Sequence, residues 1–214
     1  VGGGCGGVAA ALAASDLGRS VVLTEAGSRV GGQLTSQAVP PDEHPWVETT
    51  GTTARYREMR EAVRTRYKQT RHLTETARRD PVFNPGAAWV SNLAAEPEVF
   101  REVLEHLLRP VQAQGLLRCL MRHRPVAAEL AGDHIAAVHF EDLRTGDQLT
   151  ITARYVLDAT EEGDLLPLAG CEFPPDAPPR AEDQPSPLSA PLQAANADTA
   201  RLYRVVETYF DQYL

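Results

Sequence analysis

The sequence predicts an α/β fold, in which helices pack on a parallel β-sheet and an antiparallel β-meander is inserted before the last parallel strand. Two observations predict it. The chain opens on a glycine-rich turn, an alanine-rich helix and a short valine-rich run, which is the order of elements in a βαβ unit. Between residues 117 and 153, alternating segments are separated by Gly-Asp and Thr-Gly-Asp turns, which indicates antiparallel strands. With 214 residues, 43% of them hydrophobic, the chain can bury one good core.

The glycine-rich turn has the spacing G-x-G-x-x-G at Gly2, Gly4 and Gly7. In this pattern the first glycine permits a tight turn, the second lets a pyrophosphate approach the backbone, and the third lets the next helix pack closely on the sheet. Unpaired N–H groups and the positive end of the helix dipole attract the phosphates. Cys5 and Gly6 lie inside the same loop, where small size explains Cys5 better than a reactive thiol does. The turn predicts dinucleotide binding, against the alternative of a purely structural glycine turn.

The residues that follow supply the context that this motif requires. A helix is predicted over Cys5–Asp16 with Gly18 as its stop, and residues 21–23 read as a buried strand. Glu25 stands 21 residues after Gly4 (25 − 4), close to the separation of about 20 expected for a carboxylate that binds the ribose hydroxyls. Such a carboxylate would repel a 2′-phosphate, which argues against NADP. Because the strand that precedes such a turn is missing from the sequence, we expect a truncated first strand.

The composition excludes several classes of protein. A net charge of −8 gives no general attraction to nucleic acid or to an anionic membrane. No apolar run approaches the roughly 20 residues of a membrane span. The three cysteines are widely spaced and odd in number, so they predict neither a disulfide framework nor a zinc site, and we expect no metal. The simplest expectation for its location is the cytoplasm.

Residues 37–53 contain several prolines and are predicted to form an irregular loop. Its acidic and histidine side chains have no spacing that brings them together, so we interpret the segment as a solvated loop rather than a site. These side chains are Asp42, Glu43, His44 and Glu48. The next segment, Ala54–Arg71, is an arginine-rich helix with an apolar residue at every fourth position. Its arginines could bind an anionic substrate, but interleaved glutamates favour a solvated face.

The second half of the chain supplies a core helix and the remaining strands. Apolar spacing predicts a helix over Pro97–Gly115, with a kink at Pro110. The three strands expected to form the meander are Leu117–Leu130, Ile135–Glu141 and Gln148–Ala153. Tyr155–Ala159 is then predicted to be a buried parallel strand. The loop at residues 158–164 would lie at its carboxyl end, where open α/β sheets bind their ligands.

These elements divide the chain into one domain and a tail. Residues 1–172 form the predicted cofactor-binding domain, with a helical insertion at about 54–115 and the meander at about 117–153. Residues 173–195 are rich in proline and are predicted to be a linker. Residues 196–214 predict an amphipathic helix whose apolar stripe needs a partner surface, so the chain could self-associate through it.

Three segments together resemble FAD-dependent oxidoreductases of the glutathione-reductase-like flavoprotein superfamily. The first is the glycine turn with Glu25, which alone would suit NAD equally well. The second runs over residues 30–36, where a glycine pair, two residues and then a threonine resemble a flavoprotein element and favour FAD. The third is the Asp-Ala-Thr-Glu-Glu-Gly-Asp-Leu segment at residues 158–165, which is similar to the Ala-Thr-Gly motif that closes the cofactor site after the meander. The resemblance implies a Rossmann-like FAD/NAD(P)-binding domain.

The resemblance also implies further cofactor-binding positions. They are Gly31, Gly32, Gln33, Val126, Ala159 and Thr160. The glycine pair and Gln33 would line the pyrophosphate and ribityl region, and the backbone of Val126 would face the adenine. Ala159 and Thr160 would sit beside the cofactor. Glu161 departs from the pattern, because superfamily members commonly have glycine there.

The function implied is that of an oxidoreductase that binds FAD and acts on a small-molecule substrate. No residue stands out as a catalytic acid, base or nucleophile, since His44 and Cys5 both have simpler explanations. Two alternatives stay open. The chain could be an NAD-binding oxidoreductase module, which Glu25 permits. It could also be a catalytically silent flavoprotein fragment, because the resemblance fades after residue 172 and family members are normally much longer.

Overall fold

The computed structural model describes residues 1–89 and 91–171. The predicted linker (173–195) and C-terminal helix (196–214) lie outside the described residues. In chain order the elements are α1 (Cys5–Asp16), β1 (Val21–Glu25), a 3-10 helix (Gly32–Leu34), α2 (Ala54–Thr70), α3 (Glu75–Arg79), α4 (Pro97–Ala113), β2 (Leu117–Met121), β3 (His123–Ala131), β4 (His134–Asp142), β5 (Gln148–Ile151) and α5 (Leu165–Leu168). In this described part, none of the helices combines the length and apolarity needed to cross a bilayer.

A small parallel sheet positions the glycine turn. β1 pairs with β2 in parallel, with Val21 opposite Leu117, and α1 packs against β1. Helix α1 is rich in alanine and buried on several sides because it lies between the sheet and α4. Helix α4 also contacts α2, and its apolar stripe contributes Phe100, Val103 and Leu108 to the core. The predicted α/β fold class is therefore confirmed, with the first glycine turn at the carboxyl edge of the parallel pair.

The predicted single strand Leu117–Leu130 is wrong, because the segment forms two strands in two different sheets. β2 pairs in parallel with β1, whereas β3 pairs antiparallel with β4. Arg122 separates them with a φ of +60°, a left-handed conformation that interrupts a strand. Its N–H donates to Gly27 O (2.9 Å), and its carbonyl accepts from the N–H of Leu143 (2.8 Å). The meander therefore begins after Arg122, and β2 belongs to the parallel sheet.

The antiparallel sheet has the order β3-β4-β5 that the turn signals predict. Its register shifts between Pro125 and Ala127, so Val126 has no residue opposite it and forms a bulge. The inner face of β4 packs on α5, where Phe140 and Leu165 are both 2% exposed. This second core holds the meander against the loop at residues 158–164.

The prediction of a buried strand at Tyr155–Ala159 is wrong. Two of its side chains, Tyr155 (77%) and Leu157 (50%), are well exposed. The Val1 nitrogen donates to Leu157 O (2.7 Å) and the Ala159 N–H donates to Val1 O (2.7 Å), a pattern typical of parallel strands. Among residues 1–89 and 91–171, no further ladder bond reaches this segment, so it is extended but not a buried strand.

Buried ion pairs anchor α2 to the loop that precedes it. Arg60 pairs with Glu43 and Glu48, and Arg64 also pairs with Glu48. The side chains of Arg60 and Glu43 are only 2% and 3% exposed. The Tyr56 hydroxyl donates to Glu43 Oε1 (2.6 Å). The interpretation of these acidic and arginine side chains as solvated is wrong, because opposite charges that pair and share hydrogen bonds can be buried together.

We expect Arg60→Ala to lower the free energy of unfolding by about 3–5 kcal/mol, because Glu43 would stay buried without its opposite charge. Urea unfolding followed by circular dichroism measures the change. Arg57→Ala is the matched control: Arg57 is an exposed arginine on the same helix, and its loss should change stability by no more than about 0.5 kcal/mol. Equal effects of the two substitutions would show that the ion cluster does not stabilise the fold.

Candidate cofactor-binding site

A cavity of about 230 Å³ opens where β1 and β2 end. Five parts of the chain surround it: the glycine turn, the loop after β1, the region of the 3-10 helix, the start of β3, and the loop before α5. The lining residues are Val1, Gly2, Gly4, Glu25, Ala26, Gly27, Gly32, Ser36, Gln37, His123, Pro125, Ala159, Thr160, Glu161 and Asp164. The cavity therefore joins the three segments that carry the flavoprotein resemblance.

The three motif glycines have different surroundings. A Cβ on Gly2, whose φ is +90°, would lie 2.4 Å from Ala159 O, and a Cβ on Gly7 would lie 1.9 Å from Gly2 O. Both positions are thus closed to a side chain by the protein's own backbone. At Gly4 the nearest heavy atom to such a Cβ is Glu161 Oε1, at 3.9 Å. Gly4 therefore presents bare backbone to the cavity, as expected for a close approach by a ligand.

The first turn of α1 also faces this region. Gly4 is its N-cap residue, no side chain caps the helix, and no acidic residue lies in the first turn. The positive end of the helix dipole is consequently left for an anion from outside the helix. Helix N-termini of this kind attract anions in general.

Glu25 ends β1 and points its carboxylate across the glycine turn. Oε2 accepts from the N–H of Gly3 (2.8 Å), and Oε1 accepts from the N–H of Gly27 (2.6 Å). Each carboxylate oxygen retains a second lone pair that can accept a hydroxyl proton. Glu25 is therefore held rigidly at the cavity wall while it keeps the capacity to bind a ribose.

The second glycine pair docks on the first glycine turn. The N–H of Gly31 donates to Gly3 O (2.7 Å), and Gly32 lines the cavity. Gln33 is directed elsewhere, because its Nε2 donates to Pro40 O (3.0 Å). The two glycine segments therefore contact each other directly through their backbones.

Asp158 organises the loop that closes the cavity. Its Oδ1 accepts from the N–H (3.0 Å) and hydroxyl (2.7 Å) of Thr160, and its Oδ2 accepts from the N–H of Leu165 (2.9 Å). Gly163 completes the turn with a φ of +71°. Ala159 and Thr160 thereby lie beside Gly2, at the cavity wall.

The charged side chains around the cavity are mostly acidic. Glu25, Glu161 and Asp164 line it, and no arginine or lysine is among the described lining residues. Burial raises the pKa of Asp164, as do the nearby carboxylates of Asp158 and Glu162. An anionic ligand must therefore rely on backbone N–H groups and the helix dipole.

The predicted site residues divide into two groups. Those that line the cavity are Gly2, Gly4, Glu25, Gly32, Ala159 and Thr160. Those outside its lining are Cys5, Gly6, Gly7, Gly31, Gln33 and Val126. His123 and Pro125, which precede Val126 in β3, line the cavity instead. The bulge in β3 therefore borders the cavity.

Several lining residues were missed by sequence reasoning. They are Val1, Ala26, Gly27, Ser36, Gln37, His123, Pro125 and Asp164, with Glu161 noted only as a departure from the family pattern. For Ser36 and Gln37 a signal existed, because Ser36 ends the flavoprotein-like segment and Gln37 directly follows it. For His123 the signal appears only once the break at Arg122 is known.

Cys5 belongs to the packing of α1 rather than to the cavity. Its thiol donates to Gly31 O (3.4 Å), and it borders a small crevice with Val8, Leu12 and Leu34. Burial among these apolar side chains raises the pKa of the Cys5 thiol to about 12. The thiol is therefore protonated at neutral pH, which supports a packing role and not a nucleophilic one.

The class that this fold defines is α/β, with a small parallel sheet and an antiparallel three-stranded sheet. The chain belongs to the FAD dependent oxidoreductase family, whose model matches residues 1–213. The resemblance noted in the sequence is thus confirmed at the level of the family. The expectation that it fades after residue 172 is wrong, because the family match continues to residue 213. No curated protein matches the chain.

Solved structures similar to the chain include three flavoenzymes. A myxobacterial chondrochloren halogenase, described as a variant of FAD-dependent halogenases, is 17% identical with a TM-score of 0.45, over 75% of this chain and 36% of its own. The glycerol-3-phosphate dehydrogenase of Bacillus halodurans, complexed with FAD, is 15% identical with a TM-score of 0.48, and the match covers 78% of this chain and 35% of the dehydrogenase chain. The flavin-dependent monooxygenase PieE, in complex with FAD and substrate, is 18% identical with a TM-score of 0.42, and the match covers 79% of this chain and 31% of the monooxygenase chain. The chain spans about a third of the length of these structures.

We expect iodoacetamide to alkylate Cys5 at least about a hundredfold more slowly than the exposed Cys171 in the folded protein near neutral pH, because the reactive thiolate of Cys5 is scarce. Mass spectrometry of timed samples measures both rates. In urea the two thiols should react at similar rates, which is the control. Rapid labelling of Cys5 in the folded chain would contradict its assignment as a buried packing residue.

We expect Gly7→Ala to destabilise the fold by about 3 kcal/mol or more, because the new Cβ would collide with Gly2 O. Gly4→Ala is the paired variant and should cost less than about 1 kcal/mol, since Gly4 has a φ of −63° and its Cβ would meet only Glu161 Oε1, at an ordinary contact distance of 3.9 Å. Urea unfolding of both variants provides the comparison. A Gly7→Ala protein as stable as the Gly4→Ala protein would show that the close helix contact can relax.

Proposed function

We propose that the chain binds FAD through its adenosine and diphosphate half and serves as the cofactor-binding part of an oxidoreductase. One observation carries the proposal: Gly4 presents bare backbone and an uncapped helix N-terminus to a cavity at the carboxyl edge of the sheet. Membership of the FAD dependent oxidoreductase family supports the choice of cofactor.

In this proposal each wall of the cavity has one task. The N–H groups at Gly4 and the first turn of α1 bind the diphosphate, and Glu25 accepts hydrogen bonds from the ribose hydroxyls. The bulged backbone at Val126 lies on the adenine side. Gly32 and Thr160 line the path toward the ribityl chain. When bound, the flavin ring supplies hydride or electron transfer, and the protein binds and orients it.

The reaction itself is proposed only by class. We propose the oxidation or reduction of a small-molecule substrate. We name no catalytic residue, because the chain spans only about a third of the length of the similar solved structures. The acidic lining of the cavity and the net charge of −8 support a protein that does not act on nucleic acid or on anionic membranes, and a cytoplasmic location agrees with this.

A second candidate is an NAD-binding module. The position of Glu25 favours it as much as it favours FAD, because both dinucleotides carry an adenosine ribose with free hydroxyls. The docking of Gly31 onto Gly3 supports FAD, since the glycine pair belongs to the flavoprotein-like segment. The two candidates differ in the ligand that a purified chain retains.

Titration of FAD and NAD into the purified chain tests the proposal. We expect FAD to bind, with quenching of its fluorescence and a heat signal in calorimetry, and NAD to bind at least about tenfold more weakly. Gly4→Ala should weaken FAD at least about tenfold, because its Cβ would fill the diphosphate cradle. Its unfolding free energy is the control for intact folding. A chain that binds NAD and not FAD would overturn the proposal in favour of the second candidate.

A further inference from the structure

The Glu161 carboxylate lies in the diphosphate cradle itself. A Cβ on Gly32 would be 2.6 Å from its Oε1, and one on Gly4 would be 3.9 Å from the same atom. The other oxygen, Oε2, accepts a hydrogen bond from Nε2 of Gln37. The carboxylate is thus held between the two glycine segments, in front of the first turn of α1.

The position is one that an anion favours. Helix α1 has no side-chain cap and no acidic residue of its own in the first turn. Glu25 is bonded to Gly3, so Glu161 is the carboxylate that approaches Gly4, the N-cap residue. The helix dipole and the bare glycine backbone attract a carboxylate for the same reason that they attract a phosphate. Glu161 and a diphosphate therefore compete for one place.

The rest of the cavity does not offset this competition. Its other charged lining residues are Glu25 and Asp164, and the titratable His123 stands across from them at the start of β3. The described lining supplies no arginine or lysine that could neutralise both Glu161 and an incoming diphosphate. Two negative groups in one cradle repel each other, and the repulsion is stronger near a protein surface than in bulk water.

We propose that Glu161 is an internal competitor of the cofactor diphosphate: its carboxylate, held by Gln37, occupies the cradle in the free chain and leaves it when a dinucleotide binds. This inference rests on the proposed function, since it concerns the same cavity. Glu161 sets the affinity for phosphate-bearing nucleotides and takes no part in electron transfer. Its removal strengthens binding, whereas removal of a binding residue weakens it.

The experiment compares wild type, Glu161→Gln and Glu162→Gln by calorimetry with FAD, ADP and adenosine. Glu161→Gln keeps the size of the side chain and removes its charge. It should bind FAD and ADP about tenfold more tightly than wild type, and adenosine within about twofold, because adenosine carries no phosphate. Glu162→Gln is the matched control: it removes the same charge from the adjacent exposed residue, which does not line the cavity, and should change each affinity by less than about twofold.

The outcomes separate the inference from the proposed function. FAD binding by wild type, at whatever affinity, tests the function, and the ratio between Glu161→Gln and wild type tests the inference. Unchanged or weaker ADP and FAD binding in Glu161→Gln overturns the inference while the function stands. An equal gain for adenosine, or for Glu162→Gln, also overturns it, because the effect would then not come from a charge in the cradle. If no protein binds FAD or ADP, both are overturned, since Glu161→Gln is expected to bind.

Discussion

The close backbone packing around the first glycine turn is the constraint on which the site depends. Three separate parts of the chain meet it without an intervening side chain. Gly7 of helix α1 packs against Gly2, and Ala159 of the closing loop packs against the same glycine. Gly31, at the start of the 3-10 region, donates a hydrogen bond to Gly3. Because backbone atoms pack directly against backbone atoms, these segments have little room to shift relative to one another. The same contacts therefore determine both the direction of α1 and the position of the cavity walls.

Carboxylates then hold these backbone segments in place. Glu25 joins Gly3 to Gly27, and Asp158 joins Thr160 to Leu165, in each case by accepting backbone N–H groups. Such charge-assisted bonds are stronger than those between neutral groups. The acidic character of the site is therefore partly structural: the carboxylates that shape the cavity also make it negative, and a phosphate must be held by the backbone and the helix dipole.

The sequence predicts the local features well because their causes are local. Glycine spacing and apolar periodicity correctly predict the bounds of α1 and the first residues of α2 and α4, Ala54 and Pro97. The motif spacing also predicts that Gly4 and Glu25 lie near each other, and both line the cavity. The spacing alone cannot show contacts between distant segments.

Two failures show this limit. The left-handed break at Arg122 has no signal in its residue type, since arginine carries no preference for a positive φ, so one predicted strand became two. The pairing of Arg60 with Glu43 depends on how the loop folds back over α2. The sequence pattern includes only neighbours along the helix, so it predicts that both side chains are solvated. Glu161 entered the sequence argument as a departure from a motif, and only its position against Gly32 gives that departure a physical meaning.

The break at Arg122 also couples the two sheets mechanically. Its N–H donates to Gly27 O, two residues after Glu25, and its carbonyl accepts from the N–H of Leu143, directly after the last residue of β4. A tilt of the meander would therefore displace the loop that follows Glu25. The start of the meander and the loop after β1, which line different walls of the cavity, are thus joined through the backbone of one residue.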